Sequence, residues 1–295
     1  MKAFVLSAFC FVASALFFFF SSNEYQNPPS NQQQPVSTKI FGWSSDWHLI
    51  FLLFLLLISY GIHQKQTNCL VLDVCLISLM LGSFFSYSLL LALHGSAPQL
   101  RPLFCYIALM CVFHFLEFLL TAMFHSHSLS ISSFLLNQSK EYVIAFVASV
   151  SEYLIEVYLI EDLKNIQSIF WTGLTVCVTG DLLRKAAMVQ AGVNFTHLLQ
   201  YSRRSNHKLV TDGFYGVVRH PTYTGWCLFA VSSQVMLINP VCTVLFTYAA
   251  FVFFSERVEE EELLLISFFG KEYIKYKSQV PSGLPFIKGP QLMSS

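Results

Sequence analysis

Arg257 and Glu261 stand four residues apart in the run RVEEEE, downstream of Tyr215, His220 and Tyr223 in DGFYGVVRHPTYTGW. A guanidinium presents a bidentate fork that suits a carboxylate and keeps its charge at a membrane interface. On one helix face, Arg257 and Glu261 also make an ordinary i, i+4 pair, contributing about 0.2–0.5 kcal/mol. Successive helical residues turn by about 100°, so Glu259, Glu260, Glu261 and Glu262 cannot all face one pocket. Taken alone, that run is the solvated start of a helix, favoured by the helix dipole. Pro221 suits a first helical turn, which places His220 and Tyr223 near free N–H groups and partial positive charge, a seat for an anion. Gln190 and Gln200 each donate and accept. On residue type alone they are polar helix ends, and a lone Tyr at a membrane surface is an interfacial anchor.

The elements that must position these groups are apolar helices. Of 295 residues, 55% are hydrophobic and 12% charged, well below the roughly 25% charged of soluble domains. Mean hydropathy is +0.57. The composition predicts an all-α, polytopic integral membrane protein. Seventeen basic and seventeen acidic residues leave no global field to attract nucleic acid. Spans need about 20 apolar residues. Runs near 3–20, 47–62, 69–93, 102–124, 141–160, 166–189, 223–238 and 240–254 predict about eight transmembrane helices. The last two flank Asn239-Pro240, which reads as the tip of a tight C-terminal helical hairpin. Its arms are short for a bilayer unless the membrane thins or the tip is buried. Residues 1–165 form an N-terminal region of about five spans, and 166–295 hold the sixth span, the hairpin, the polar loops and a C-terminal helix. The first run, behind Lys2, also has the basic start and apolar stretch of a signal peptide, but no small-x-small cleavage site follows it. The segment SSNEYQNPPSNQQQP reads as an unstructured loop.

With the N-terminus in the cytosol, the cytosolic segments collect Lys2, Lys65, Lys140, Arg184, Lys185, Arg203, Arg204, Lys208, Arg219, Arg257, Lys271, Lys275, Lys277 and Lys288, against Lys39, Arg101 and Lys164 opposite. This bias predicts both termini and every motif residue on the cytosolic side. The sequons at Asn137 and Asn194 are then chance matches. The eight cysteines fall mostly in apolar runs without a CxxC pair and read as small buried hydrophobes. His114 with Glu117 reads as a satisfied interior pair, and no histidine belongs to a metal-ligand set. Asp181 has Arg184 and Lys185 within reach on its own helix. Glu152 and Glu156 share one face of the fifth span. They line a substrate route or lie near the membrane surface, and the sequence leaves both readings open. No Gly-rich strand-to-helix loop is present, so a nucleotide-like cofactor must be held by helices and loops.

The ordered set GDLLRKAAMVQAGVNFTHLLQ, LVTDGFYGVVRHPTYTGW, QVMLINP, RVEEEELLLISFFGKEYIKYK and VPSGLPFIKG, from Gly180 to Gly289, resembles the isoprenylcysteine carboxyl methyltransferases of the endoplasmic reticulum membrane. The resemblance implies S-adenosylmethionine-dependent methyl esterification of the C-terminal prenylated cysteine of processed CaaX proteins, with S-adenosylhomocysteine as product. It carries Arg257 over as the residue that binds the substrate carboxylate, and Glu261 as its catalytic companion and a cofactor contact. Further cofactor contacts carried over are Gln190, His197, Leu198, Leu199, Gln200, Tyr215, His220, Pro221, Thr222 and Tyr223. The rival readings are a related phospholipid methyltransferase or sterol reductase and, from another class, a transporter or membrane scaffold. The ending VPSGLPFIKG argues against the phospholipid enzyme. The absence of an Arg set for a 2′-phosphate argues against the reductase, and clustering of the polar residues at one surface argues against the transporter.

Overall fold

The computed structural model describes residues 2–26, 70–203 and 207–291. The fourteen helical elements among them include no strand, and the long ones are α1 (Lys2–Gln26), α2 (Leu70–His94), α3 (Arg101–Phe124), α4 (Lys140–Leu159), α5 (Gln167–Ala191), α7 (Pro221–Leu237) and α8 (Pro240–Phe269). Two shorter α-helices, α6 (Phe214–Val217) and α9 (Lys271–Gln279), flank the hairpin. Among the described residues, four helices are long and apolar enough to cross a membrane: Leu70–His94, Pro98–Phe124, Lys140–Leu159 and Pro240–Phe269. The expected spans at 3–20, 166–189 and 223–238 are helical but fall short. In α1 the residues whose side chains are described give an apolar stretch of Phe4–Leu16, α5 carries Asp181, Arg184 and Lys185, and α7 has only 17 residues. The expected span at 47–62 lies outside the described residues.

The chain forms two compact units, Met1–Lys140 and Glu141–Ser295. In the first, serines bind α1 to α2 where no water is available to satisfy them. Ser7 and Ser78 share a hydrogen bond of 2.9 Å, Ser14 donates to the Leu79 carbonyl at 2.9 Å, and Ser86 donates to the Ala15 carbonyl at 2.8 Å. Phe11 of α1 stacks on Phe115 of α3 with ring centroids 4.1 Å apart. His114 is buried with its Nδ1 2.9 Å from the Phe134 carbonyl, so it is a satisfied interior group.

In the second unit, α5 and α7 cross with their backbones almost touching. A Cβ on Gly225 would lie 2.6 Å from the Arg184 nitrogen and from the Gly180 carbonyl oxygen, and one on Gly173 would lie 2.4 Å from the Met236 nitrogen. Close approach of this kind multiplies dispersion contacts, the main attraction between helices in lipid. The hairpin turns where the sequence places it. Ile238 closes α7 in the left-handed region at φ 55°, and Asn239 precedes Pro240 at the first turn of α8.

A β-branched residue at positive φ costs about 1–2 kcal/mol, and the neighbouring side chains over-determine the turn. Lys164, with its side chain fully buried, donates to the carbonyls of Leu237 at 2.9 Å and Ile238 at 2.8 Å and pairs with Glu156 at 2.5 Å. Glu152 accepts from the Val241 and Cys242 backbone N–H groups, both at 2.7 Å, and so caps α8 from another helix. Asn239 donates to the Ser149 carbonyl at 2.9 Å. Glu152 and Glu156 therefore brace the hairpin tip, where Ile238 and Asn239 are buried and Pro240 and Val241 are exposed. Lys185 pairs with Asp181 at 3.1 Å on α5.

Removing one partner of a buried ion pair costs about 3–5 kcal/mol, and losing a helix cap about 1–2 kcal/mol. Lys164→Met is therefore expected to lower the thermal midpoint of detergent-purified protein clearly more than Glu152→Ala. A Lys164→Met midpoint equal to that of the wild type contradicts the bracing role.

Candidate active site

Several elements of the second unit converge on one cavity. The chain leaving α5 supplies Leu198, Leu199 and Gln200; α6 and the start of α7 supply Tyr215, His220, Thr222 and Tyr223; α8 supplies Arg257, Glu261, Leu264 and Leu265. Lys208, Leu209, Val210 and, from α9, Tyr273 and Tyr276 complete much of the wall. Apolar surface alternates with a few convergent polar groups, the usual character of a small-molecule site.

Arg257 is held by two of its donors: Nε to the Tyr223 hydroxyl at 3.1 Å and one terminal nitrogen to the His197 carbonyl at 2.9 Å. The Tyr223 hydroxyl in turn donates to Glu261 Oε2. Arg257 and Glu261, neighbours on α8, are thus joined through a phenol from α7 that fixes both. The four acids divide as helical rotation requires. Glu259 and Glu260 are exposed, Glu261 lines the cavity, and Glu262 points into the protein and is fully buried.

The start of α7 is fixed from two sides. Arg184 of α5 donates to the Thr222 carbonyl at 3.3 Å. The segment after α9 runs beside it, and its carbonyls at Pro281 and Ser282 accept from the backbone N–H groups of Arg219 at 2.8 Å and His220 at 3.1 Å. The His220 ring stacks on Tyr223, centroids 5.4 Å apart and nearly parallel. Burial pushes the Tyr276 hydroxyl up to about 12, so it stays protonated and donates to the Tyr215 carbonyl at 2.6 Å. Burial also raises the Tyr215 hydroxyl well above its ordinary range, and it reaches the Ala187 carbonyl at 3.4 Å.

Of the residues singled out from sequence, Leu198, Leu199, Gln200, Tyr215, His220, Thr222, Tyr223, Arg257 and Glu261 meet at the cavity. Gln190, His197 and Pro221 do not line it. Gln190 clamps the DGFYG turn, donating to the Asp212 carbonyl at 2.7 Å and accepting from the Phe214 N–H at 3.0 Å. His197 contributes its carbonyl to Arg257, and Pro221 is buried in the first turn of α7. The sequence reading missed Arg219 and Lys277, counted there only as cytosolic charges, and Tyr273 and Tyr276. The i, i+3 spacing of the two tyrosines on a short helix was a signal for one aromatic face. Asn194, in the second sequon, is engaged in the fold: its side-chain oxygen accepts from the Lys208 N–H at 2.9 Å.

A helical chain with several membrane-crossing helices, whose small-molecule cavity is bounded by loops and helix ends rather than by a sheet, belongs to the class of multi-pass membrane enzymes. The profile of the isoprenylcysteine carboxyl methyltransferase family matches residues 171–267. Protein-S-isoprenylcysteine O-methyltransferase of Xenopus laevis is 42% identical over 243 residues, 82% of this chain and 84% of that relative. The Homo sapiens enzyme is 47% identical over 184 residues, 62% of this chain and 65% of that relative. A solved structure of the eukaryotic intramembrane Ras methyltransferase isoprenylcysteine carboxyl methyltransferase, determined without a monobody, superposes with a TM-score of 0.85 at 34% identity, covering 98% of this chain and 99% of that one. The chain belongs to the isoprenylcysteine carboxyl methyltransferase family. It is accordingly a multi-pass membrane methyltransferase.

Gln190→Leu removes both bonds to the DGFYG turn, each worth about 0.5–1.5 kcal/mol. Hydrogen exchange across 211–217 is expected to accelerate by about tenfold, the rate equivalent of about 1.4 kcal/mol. Unchanged exchange there, with weakened cofactor binding, contradicts the clamp and favours direct contact.

Proposed function

We propose that this chain uses S-adenosylmethionine to methylate the α-carboxylate of a C-terminal S-prenylated cysteine on processed CaaX proteins, releasing S-adenosylhomocysteine. The observation that carries the reading is Arg257, a guanidinium fixed on the cavity wall by a phenol and a carbonyl, with no further partner for its fork among the described residues. A fixed, partly desolvated fork suits a carboxylate better than an amine or a sterol.

The donor set fits the cofactor. Apolar walls at Leu198, Leu199, Leu209, Val210 and Leu264 suit an adenine ring, while Gln200 and Glu261 offer partners for hydroxyl or amino groups. The N-terminus of α7, with His220 and Thr222 in the wall, suits the carboxylate of the methionine portion. Gln190, His197 and Pro221 support these contacts by holding the 212–214 turn, Arg257 and the start of α7. When bound, the cofactor supplies an electrophilic methyl group on a sulfonium.

The nucleophile is a carboxylate with a pKa near about 3.5, ionised at neutral pH without a general base. Arg257 orients it, and Glu261, reached through Tyr223, keeps Arg257 in place. As the methyl transfers, positive and negative charge both fade, so excessive anchoring of either in the ground state slows the step. Neutral partners on Arg257, the Tyr223 hydroxyl and the His197 carbonyl, suit a site that positions the carboxylate and excludes water.

In this reading residues 166–295 are the catalytic region of a protein that crosses the endoplasmic reticulum membrane about eight times, and the positive-inside bias supports a cavity and both termini on the cytosolic side. A prenyl chain is lipid-soluble, its burial worth about 0.8 kcal/mol per CH₂, and it reaches the cavity laterally from the bilayer.

Labelled methyl transfer from S-adenosylmethionine to N-acetyl-farnesylcysteine in detergent is the test. Wild type is expected to be active, and Arg257→Ala is expected to lose about 10- to 100-fold in kcat/KM, the equivalent of a charged hydrogen bond of about 1.5–3 kcal/mol, with cofactor binding retained. Transfer to phospholipid instead contradicts the substrate. Replacing farnesyl by a short alkyl is expected to raise KM steeply, and an unchanged KM contradicts lateral access.

A further inference from the structure

Glu262, which none of the roles above uses, gathers three basic side chains at the edge of the cavity. Its Oε1 accepts from Arg219 Nε at 2.8 Å and lies 3.0 Å from His220 Nε2, while Oε2 meets Lys277 Nζ at 2.6 Å. The carboxylate is fully buried, with Arg219 and Lys277 almost so. The same cations bind the segment that follows α9. Arg219 donates to the carbonyls of Val280 and Lys288, and Lys277 donates to the Pro290 carbonyl at 2.6 Å. Leu284 and Ile287 of this segment are buried against Ala250, Phe254 and Val258 of α8.

We infer that Glu262 is a positioning residue for the reaction, and that residues 280–290 are a working part of the site because they and Glu262 together set the orientation of His220. Nε2 of His220 is engaged by Glu262, which fixes the ring plane and selects which nitrogen carries the proton. That ring is stacked on Tyr223, whose hydroxyl holds both Arg257 and Glu261. A displacement of Glu262, which does not itself line the cavity, therefore reaches Arg257 through two side chains. The paired acids divide the work: Glu261 faces the cavity, and Glu262 orients from behind. The inference rests on the proposed function only in taking the cavity as the site of donor and carboxylate.

The cluster can be pushed from outside. A Cβ on Gly289, at φ 71°, would lie 2.1 Å from Glu262 Oε2. Gly270 also has a positive φ, 56°, with nothing within 4 Å of its Cβ position, so an alanine there meets a positive-φ penalty without the clash. Gly289→Ala and Gly270→Ala of the full chain form a matched pair, read by hydrogen exchange over 218–224, by calorimetric S-adenosylmethionine binding, and by the KM for N-acetyl-farnesylcysteine.

The expected result is faster exchange at 218–224 together with a rise of about 10- to 100-fold in KM or in the cofactor Kd for Gly289→Ala alone, the cost of a small misplacement of positioning groups. Should Gly289→Ala not fold, Lys277→Met, which removes a cation that does not line the cavity, is expected to shift the same readouts. Equal behaviour of the two alanine variants, or lowered stability with unchanged KM and Kd, overturns the inference. If wild type binds no cofactor, the donor assignment fails separately, and the exchange difference at 218–224 still decides whether Glu262 and the segment orient His220.

Discussion

The crossing of α5 and α7 is the constraint on which the catalytic unit depends. Where Gly225 meets Gly180 and Arg184, and where Gly173 meets Met236, there is no room for a side chain. The backbones can approach that closely only because those positions are glycine, and in lipid such contact is the main source of attraction between helices. The crossing sets where α7 begins relative to the end of α5. That relation decides whether the chain leaving α5, with Leu198 to Gln200, can close over His220 and Tyr223. Larger residues at the crossing would move the cavity wall even though they lie outside it.

Charge is then buried at both ends of the α7–α8 hairpin, and each end solves the desolvation cost differently. At the tip, Lys164 is satisfied mainly by carbonyls left over at the end of α7, with Glu156 as counter-ion. At the cavity end, Glu262 is surrounded by Arg219, His220 and Lys277. Buried ion pairs of this kind add little net stability compared with apolar packing, but removing one partner is expensive. They therefore specify one geometry strongly. Here that geometry holds Tyr223 against Arg257, so the rigidity lies where a carboxylate is to be aligned.

The hairpin and the cavity were legible to different degrees. Asn239-Pro240 marked the turn because proline placement at a helix start follows local rules. Nine of the residues carried over from the family pattern do meet at one cavity, because an ordered motif records long-range proximity that residue type alone does not. Gln190 was read as a ligand contact, but a Gln amide serves backbone groups equally well, and only the position of Asp212 and Phe214 decides between them. Arg219 and Lys277 passed as surface charge because an interior cation and an exposed one look alike in a charge count. Glu152 and Glu156 became interpretable only once Lys164 and the start of α8 were placed beside them. The count of eight spans rested on apolar length. The charges of α5 and the shortness of α7 show that helices can pack in such a unit without being individually long or apolar.

Taken together, Arg257 faces a cavity of mixed polarity with its position fixed from α7, and the family relationship makes the reaction a methyl transfer. The central claim is that the acceptor is a carboxylate oxygen. The most direct measurement is the chemical form of the methyl group transferred from labelled S-adenosylmethionine to farnesylcysteine by the purified protein. An ester releases its label as volatile methanol in mild base, and complete base-labile release is the predicted result. Label that stays with the acceptor after base treatment means methylation at nitrogen or carbon and contradicts the role assigned to Arg257.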